Sequence, residues 1–293
     1  MNIALTGAGG SIGKALCPFL ESLGHTIYSI SSSQPSNGNT IFSYEDLAKN
    51  KLAQKIDIFI HLASLNANLA ENDIAEEVGL TMSVLNAMHA LGCSQLVFFS
   101  SAKVYGVSSF SSNTYAESSL IQPQCPYSKA KSACEDIIIQ QSKKLNIAST
   151  IFRLPPVLLQ SEGSNLHRLL QFTKSGAYIP SFSKGNFNKR SFISFVNIKN
   201  VVQVILENVP MGNSSVYNLS DDRPIGLNTL LKLHGAKKIL LLPQFIEKLA
   251  FKIPFIQNIL IRLYGNFILE NHKLKNDLSV KLFSTEQAIL LEE

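Results

Sequence analysis

The chain has 293 residues, of which 45% are hydrophobic and 16% are charged, and its formal net charge is +5. This composition excludes an intrinsically disordered protein, because the apolar content suffices to bury a sizeable core. The small excess of basic residues forms no block, so no nucleic-acid partner is indicated, and an anionic small molecule suits the charge better.

The cysteines and the hydropathy indicate a cytoplasmic protein. The cysteines lie far apart and show neither a disulfide framework nor the spacing of zinc ligands: Cys17, Cys93, Cys125 and Cys134. The apolar stretch before the first glycine turn is too short for a signal peptide. No apolar run reaches the roughly 18 residues that would span a bilayer. We therefore expect a protein of a reducing compartment.

Short apolar runs alternate with helical periodicity up to residue 153, which is typical of βαβ units around a parallel sheet. The predicted strands cover residues 3–6, 26–30, 57–63, 95–100 and 148–153. Two helices between them carry apolar stripes, the first formed by Ile12, Ala15, Leu16, Phe19, Leu20 and Leu23, the second by Val78, Met82, Leu85 and Met88. The pattern predicts a doubly wound α/β fold with both stripes buried on the sheet.

Beyond residue 153 the pattern changes to short helices and strands separated by proline and glycine. We expect a smaller lobe over residues 154–293, with some segments returning to the sheet. The stretch 239–269 is strongly apolar but is interrupted by charges at helical spacing. These helices are predicted to pack on the small lobe or on a second subunit. Docking to a membrane surface is the lesser alternative, because interfacial helices usually carry more lysine and arginine.

The first candidate site is the glycine-rich turn Thr6-Gly-Ala-Gly-Gly-Ser-Ile-Gly13, between the first strand and the first helix. We interpret Gly7 as the residue that permits a tight turn and Gly10 as the point where a pyrophosphate approaches the backbone. Gly13 is interpreted as the contact between the helix and the sheet. The pattern predicts dinucleotide binding, and a purely structural turn is the alternative.

The end of the second strand bears on the choice of cofactor. An acidic residue there would bind the ribose 2′-hydroxyl of NAD, but the chain has Ser31, Ser32 and Ser33 instead, with neither a carboxylate nor an arginine. Because the group that would repel a 2′-phosphate is missing, the sequence favours NADP over NAD.

The second candidate site is a tyrosine and a lysine one helical turn apart. Pro126 is a favourable first residue for a helix, and Tyr127 and Lys131 then lie on one face of that helix. An ammonium group beside a phenol favours the phenolate, so Tyr127 is a candidate proton donor and acceptor. Taken alone, this spacing also suits a solvated helix face.

The third candidate site follows a buried strand, in the sequence Phe98-Phe-Ser-Ser-Ala-Lys-Val-Tyr-Gly106. Its small hydroxyls come at the carboxyl end of the strand, which is where ligands bind in open α/β sheets. Ser101 is therefore predicted to hydrogen-bond the substrate oxygen that Tyr127 protonates. Capping of the strand end is the alternative role for Ser100 and Ser101.

Together these stretches make the chain resemble the extended short-chain dehydrogenases/reductases, in particular the NAD-dependent epimerase/dehydratase family that acts on nucleotide sugars. Further matching pieces follow in order up to about residue 235: His61-Leu-Ala63, Glu135, Arg153-x-Pro, Arg190-Ser-Phe-Ile-Ser-Phe-Val-Asn197 and Val216-Tyr-Asn-Leu219. The resemblance implies a Rossmann-type domain for NAD(P) and a smaller carboxyl-terminal lobe for a nucleotide-diphosphate sugar. Family members often form homodimers through the helix that carries the tyrosine.

The resemblance also implies roles for individual residues. Ser101 would orient the sugar oxygen, Tyr127 would exchange the proton, and Lys131 would hold the nicotinamide ribose and tune Tyr127. The implied cofactor contacts are Gly7, Gly10, Ser11, Ile12, Gly13, Ser31, Ser32, Leu62, Ala63, Ser100, Tyr127 and Lys131. The implied substrate contacts are Ser101, Lys103, Asn165 and Arg190. A surface charge is the alternative for Arg190 and a helix cap for Asn165. No metal is implied.

Departures from the family pattern narrow the range of expected reactions. Dehydratases of the family carry an Asp-Glu pair where this chain has Ala102 and Lys103, so dehydration is not expected. Lys103 makes the stretch look like the branch that reduces UDP-4-keto-6-deoxy-N-acetylhexosamines for cell-surface polysaccharide, and a plain surface lysine is the alternative. Glu77 stands where the family usually has an asparagine, and Leu80 replaces a small residue, so we expect that helix to sit differently.

The sequence therefore predicts a cytoplasmic oxidoreductase that passes hydride from NAD(P)H to a 4-keto nucleotide sugar while Tyr127 delivers the proton. An NAD-dependent 4-epimerase would use the same residues and is the first alternative. A catalytically silent dinucleotide sensor is the alternative from a different functional class.

Overall fold

The structure is a computed structural model that describes residues 1–31, 41–43, 46, 54–65, 69–109, 114–158, 179–182, 192–208, 214–234, 239–242, 249 and 252–290. Its strands are β1 Asn2–Thr6, β2 Thr26–Ile30, β3 Ile41–Phe42, β4 Ile58–His61, β5 Gln95–Ser101, β6 Thr114–Tyr115, β7 Ala148–Leu154, β8 Val157–Leu158, β9 Ile179–Phe182, β10 Val196–Asn197, β11 Ser215–Asn218, β12 Ile239–Leu242 and β13 Ile268–Leu269. Its helices are α1 Ser11–Ser22, α2 Ile74–Ala90, α3 Pro126–Leu145, α4 Ile198–Asn208, α5 Leu227–Leu233, α6 Pro254–Tyr264, α7 His272–Leu278 and α8 Thr285–Leu290, with 3₁₀ turns at Glu71–Asp73 and Ala102–Tyr105.

In the described part of the chain, seven parallel strands form the main sheet in the order β11-β7-β5-β4-β1-β2-β3. The chain starts in the middle, fills one edge with β2 and β3, and then fills the other side from β4 to β11. Thr6 at the end of β1 is paired with Ile30 on one side and His61 on the other. Such a reversal opens a crevice at the carboxyl ends of the strands. The glycine turn directly follows β1 and therefore lies at this crevice.

Helices cover both faces of the sheet. On one face, α1, α4 and α7 contribute Leu16, Leu20, Val201, Val204 and Leu274 to the core. On the other face, α2 and α3 contribute Val84, Leu85, Met88, Cys134 and Ile138. Strand residues alternate between the two cores, since Ile3 and Leu5 face the first and Ala4 faces the second. This arrangement confirms the predicted doubly wound α/β fold.

The predicted apolar stripe of α1 is wrong at two positions. Phe19 is 44% exposed and Leu23 is 56% exposed, whereas Leu16, Cys17 and Leu20 are buried. The buried positions recur at steps of three and four residues, so they define the face that packs on the sheet and Phe19 turns away from it. For α2 the predicted stripe lies in the core, with Leu85 and Met88 fully buried and Val78 and Met82 packed against them.

The carboxyl-terminal half of the chain crosses back to the main sheet, where β11 pairs with β7. Parallel pairs outside that sheet join β8 to β10, β9 to β12 and β6 to β13. The apolar stretch that begins at residue 239 supplies β12 and α6, while residues 243–248 lie outside the described part. Among the described helices, none has the length and apolarity needed to cross a membrane.

Candidate active site

Close packing requires glycine at two positions of the turn after β1. Gly7 has a φ of +79°, and a Cβ there would lie 2.7 Å from the backbone nitrogen of Ala63. A Cβ on Gly13 would lie 2.4 Å from the carbonyl oxygen of Gly7. The glycine at position 13 therefore lets the start of α1 pack closely on the turn that follows β1.

The first turn of α1 is suited to an anion. Gly10 is the N-cap, and no acidic residue lies in the first turn. The leading backbone N–H groups of a helix lack intrahelical acceptors and carry the positive end of the helix dipole. Here Ser11, Ile12 and Gly13 supply such groups, whereas the N–H of Lys14 donates to the Gly10 carbonyl. The residues present thus fit the pyrophosphate of a dinucleotide.

A neutral histidine joins the ends of two central strands to α2. Nδ1 of His61 lies 2.7 Å from the Thr6 hydroxyl, and Nε2 lies 3.2 Å from the Thr81 hydroxyl. Burial, followed by the positive charge of Lys131, lowers the pKa of His61 to about 3, so the ring is uncharged near neutrality. The Thr6 hydroxyl also accepts the N–H of Ala63 at 3.2 Å. These bonds order the loop that starts at Leu62 beside the glycine turn.

The two serines at the end of β5 have different partners. The hydroxyl of Ser101 caps the following 3₁₀ turn, because its oxygen accepts the N–H of Lys103 at 3.3 Å. The hydroxyl of Ser100 donates to the buried carboxylate of Glu135. Capping, the alternative considered for Ser101, is therefore present, and it leaves that hydroxyl its proton to donate.

The start of α3 brings the predicted tyrosine and lysine to the end of β5. Pro126 opens the helix and Cys125 is its N-cap. Nζ of Lys131 lies 6.0 Å from the centroid of the Tyr127 ring, and Nζ of Lys103 lies 5.5 Å from the same centroid. Lys131 is 2% exposed, whereas Lys103 is exposed and Tyr127 half-buried. The tyrosine thus lies between a buried ammonium group and a solvated one.

The buried ammonium group has a carboxylate partner that sequence reasoning did not predict. Nζ of Lys131 lies 3.3 Å from Oε1 of Glu77, and both side chains are almost fully buried. The other oxygen of Glu77 accepts the N–H of Leu65 at 2.8 Å. The sequence signal was the departure from asparagine at this position, which indicated a change in the helix but not an ion pair.

A second buried network joins four stretches that the sequence showed only as separate matching pieces. The guanidinium of Arg153 lies 2.6 Å from a carboxylate oxygen of Glu135 and donates to the hydroxyl of Tyr105 at 2.8 Å. That hydroxyl donates to Asn218 at 2.7 Å. Burial opposes the charge on Arg153, but its bonds to Glu135 raise its pKa above the usual value. The network ties the 3₁₀ turn after β5 to α3, β7 and β11.

Three predicted site residues lie outside the described residues: Ser32, Asn165 and Arg190. Ser31 is described, and its N–H donates to the carbonyl of Phe42 at 3.0 Å. The structure therefore assembles the glycine turn, the loop after His61, Ser101, Lys103, Tyr127 and Lys131 at one edge of the sheet.

Solved structures of similar fold span the whole chain. A UDP-N-acetylglucosamine 4-epimerase from Bacillus cereus matches with a TM-score of 0.76 at 18% identity, covering 99% of each chain. A UDP-glucose 4-epimerase from Thermotoga maritima, determined with UDP-glucose, matches with a TM-score of 0.73 at 18% identity, covering 99% of this chain and 97% of that one. A short-chain dehydrogenase/reductase superfamily protein from Agrobacterium tumefaciens, determined with bound NAD, matches with a TM-score of 0.73 at 19% identity, covering 100% of this chain and 95% of the other.

Comparison with curated protein sequences finds no match. The model of the NAD-dependent epimerase/dehydratase family matches residues 3–220, which is well over half of the chain and includes the glycine turn, the end of β5 and the Tyr127 helix. The chain belongs to the NAD-dependent epimerase/dehydratase family.

Proposed function

We propose that this protein is a nucleotide-sugar oxidoreductase that reduces the 4-keto group of a nucleotide-diphosphate 6-deoxy sugar. The observation that carries the proposal is the convergence of Ser101, Tyr127 and Lys131 at the carboxyl edge of the sheet, beside the glycine turn. These are the hydroxyl, phenol and ammonium that carbonyl reduction needs to orient and protonate an oxygen.

Gly7, the first turn of α1, and the loop at Leu62 and Ala63 are the residues that would hold the dinucleotide. When bound, its nicotinamide supplies hydride to the sugar carbon or takes hydride from it. Family membership and the NAD bound to the Agrobacterium relative support NAD as the cofactor. The preference for NADP that the missing acidic residue suggested has no support among these relatives. A competition titration of NADH against NADPH tests this choice.

The surroundings of Tyr127 support its role as the proton donor. In carbonyl reduction, the carbon gains hydride and the oxygen gains a proton, which Tyr127 donates from its hydroxyl. Lys131, 6.0 Å from the ring centroid, stabilises the phenolate that remains. Ser101 donates a hydrogen bond to the same sugar oxygen and orients it, keeping its own proton. A solvent proton then restores Tyr127.

Lys103 supports an anionic keto-sugar substrate rather than a dehydratase reaction. Its side chain is exposed and its ammonium group lies over the Tyr127 ring, and Lys103 stands at the second position of the Asp-Glu pair expected in dehydratases. A cation there favours the phosphates of the substrate or the charge that develops on the carbonyl oxygen. Arg190 and Asn165 remain proposed as further substrate contacts.

A panel of UDP- and dTDP-4-keto-6-deoxy sugars, mixed with NADH or NADPH, tests the proposal. We expect consumption of reduced cofactor in a one-to-one ratio with a keto sugar, and no consumption with sugars that carry a 4-hydroxyl group. Interconversion of UDP-hexose epimers without net change in NADH would replace the proposal with a 4-epimerase. Tight cofactor binding without turnover of any sugar would favour a dinucleotide sensor.

A further inference from the structure

The pair formed by Glu77 and Lys131 spans two helices and lies under the candidate site. Glu77 lies in the first turn of α2 and Lys131 in the second turn of α3, and their charged atoms are 3.3 Å apart. The exposed fraction of either side chain is 3% or less. Lys131 also lies 4.9 Å from the centroid of the Phe98 ring, so apolar surface rather than water covers its other side.

We infer that Glu77 is a positioning residue that holds the Lys131 ammonium beside Tyr127 and offsets part of its charge there. The inference rests on the proposed roles of Tyr127 and Lys131. The resemblance to the family does not imply this role for Glu77, because the family usually places an uncharged asparagine at this position.

The distances explain why the carboxylate matters electrically. In a buried environment two unit charges a few ångströms apart interact far more strongly than in water. The ammonium group lies 3.3 Å from Glu77 and 6.0 Å from the centroid of the Tyr127 ring, and the negative charge of Glu77 opposes the field that Lys131 exerts on the phenol.

The other titratable groups around Tyr127 do not replace this effect. Lys103 contributes a second positive charge, but it is exposed and screened by water. His61 is uncharged near neutrality, and the carboxylate of Glu135 is engaged with Arg153. The thiol of Cys125, which caps the same helix one residue before Pro126, is a further titratable group near Tyr127. Among the described residues, Glu77 is the carboxylate in contact with Lys131.

Glu77→Gln separates the electrical role from a structural one. The carboxamide keeps the length of the side chain and an oxygen that accepts the N–H of Leu65, but it carries no charge. Glu76→Gln is a matched control, because Glu76 is the preceding residue of α2, is exposed, and loses the same charge.

The measurement is an absorbance titration of phenolate in the cofactor-free protein, taken as the difference between each variant and its Tyr127→Phe counterpart. We expect the midpoint for Tyr127 to fall in Glu77→Gln, because the charge opposing Lys131 is removed, and to stay unchanged in Glu76→Gln. The pH profile of kcat should move in the same direction. A midpoint that stays in place in folded Glu77→Gln protein would overturn the inference and leave Glu77 a structural residue.

If Glu77→Gln does not fold, Glu77→Asp provides the same test with the charge kept and the pair lengthened. A smaller shift in the same direction supports the inference, and no shift overturns it. The titration needs neither cofactor nor substrate, so its result is separate from the proposed function. Ketoreductase activity without the shift refutes the role of Glu77 alone, whereas the shift without activity on any nucleotide sugar refutes the proposed function alone.

Discussion

Helix α3 takes part in two sets of residues that share the same chemistry but differ in the burial of the tyrosine. One set contains Tyr127, Lys131 and Glu77, and the other contains Tyr105, Arg153 and Glu135. Lys131 and Glu135 lie one helical turn apart. Each set combines a phenol, a cation and a carboxylate, and each joins α3 to neighbouring elements.

The hydrogen bonds of the phenol distinguish the two sets. The Tyr105 hydroxyl accepts from Arg153 and donates to Asn218, and burial raises its pKa. Within the described part of the chain, the Tyr127 hydroxyl has no hydrogen-bond partner, and its ring is half-buried. A phenol whose bonding capacity is used internally stabilises the fold, whereas one left available at an open edge can exchange a proton with a ligand.

The largest expected effect is the difference between replacing Tyr127 and replacing Tyr105. Tyr127→Phe should lower kcat by about 10²–10⁴-fold while the affinity for NAD stays the same, because the proton donor is lost and the packing is kept. Tyr105→Phe should instead lower the free energy of unfolding by about 1–3 kcal/mol, because Arg153 and Asn218 each lose a buried partner. Steady-state kinetics and urea denaturation of both variants measure the two effects. Equal losses of kcat in the two variants would contradict the assignment of proton exchange to Tyr127 and of fold stability to Tyr105.

Breaking the second ion pair should cost stability. Arg153→Met leaves the Glu135 carboxylate buried without its cation, so we expect the free energy of unfolding to fall by about 3–5 kcal/mol. Lys129→Met is the control, since Lys129 of α3 pairs with Glu71 at 2.6 Å but the two side chains are 44% and 59% exposed. That exposed pair should contribute under about 1 kcal/mol. Similar losses in both variants would contradict the assignment of stability to burial.

Asp221 extends the comparison to a buried carboxylate that contacts no cation among the described residues. It accepts bonds from the backbone of Asn197 and from the side chains of Asn200 and Thr285. Burial nevertheless raises its pKa from 3.8 to about 6. The folded state therefore holds a proton that the unfolded state has lost, and the free energy of unfolding should decrease as pH rises from about 4 to 6.

The expected contribution of Asp221 to this decrease is about 2–3 kcal/mol, and it should be complete above the folded pKa. Asp221→Asn removes the titrating group, so denaturation curves of this variant should lack that part of the pH dependence. If the free energy of unfolding of the variant depends on pH as steeply as that of the unmodified protein over this range, a group other than Asp221 is responsible.

The smallest expected effect concerns Lys103, the exposed cation beside Tyr127. Lys103→Met should lower kcat/KM for the nucleotide sugar by about tenfold without changing the affinity for NAD, because a charge-assisted contact with an anion is lost. The difference should shrink at high salt, since an exposed charge is screened. Kinetics at low and high ionic strength measure it. A change in NAD affinity instead would assign Lys103 to the cofactor.

Local patterns sufficed for much of the fold and of the candidate site. The central strands were predictable because each is a short apolar run beside a turn or a helical period. The glycine turn was recognisable because its spacing and its place after the first strand form one local motif. Tyr127 and Lys131 lie four residues apart on a helix, so their common face also followed from sequence.

The exposure of Phe19 and Leu23 could not be predicted in this way. An apolar residue at the margin of a helical stripe is buried only if a neighbouring element covers it, and that depends on how the helix is rotated against the sheet. Long-range partners were equally hidden. Glu77 and Lys131 are 54 positions apart, and the chain alone does not show that α2 and α3 bring them together.

The amino-acid sequence by itself determined the family, the parallel sheet and the common helix face of Tyr127 and Lys131. Each of these depends on residue type and on spacing within one or two helical turns. Only the tertiary structure decided which carboxylate faces which cation, and therefore which tyrosine is held in a saturated network and which remains open at the edge of the sheet. That choice depends on packing between distant segments, because electrostatic and hydrogen-bond energies vary steeply with distance and burial.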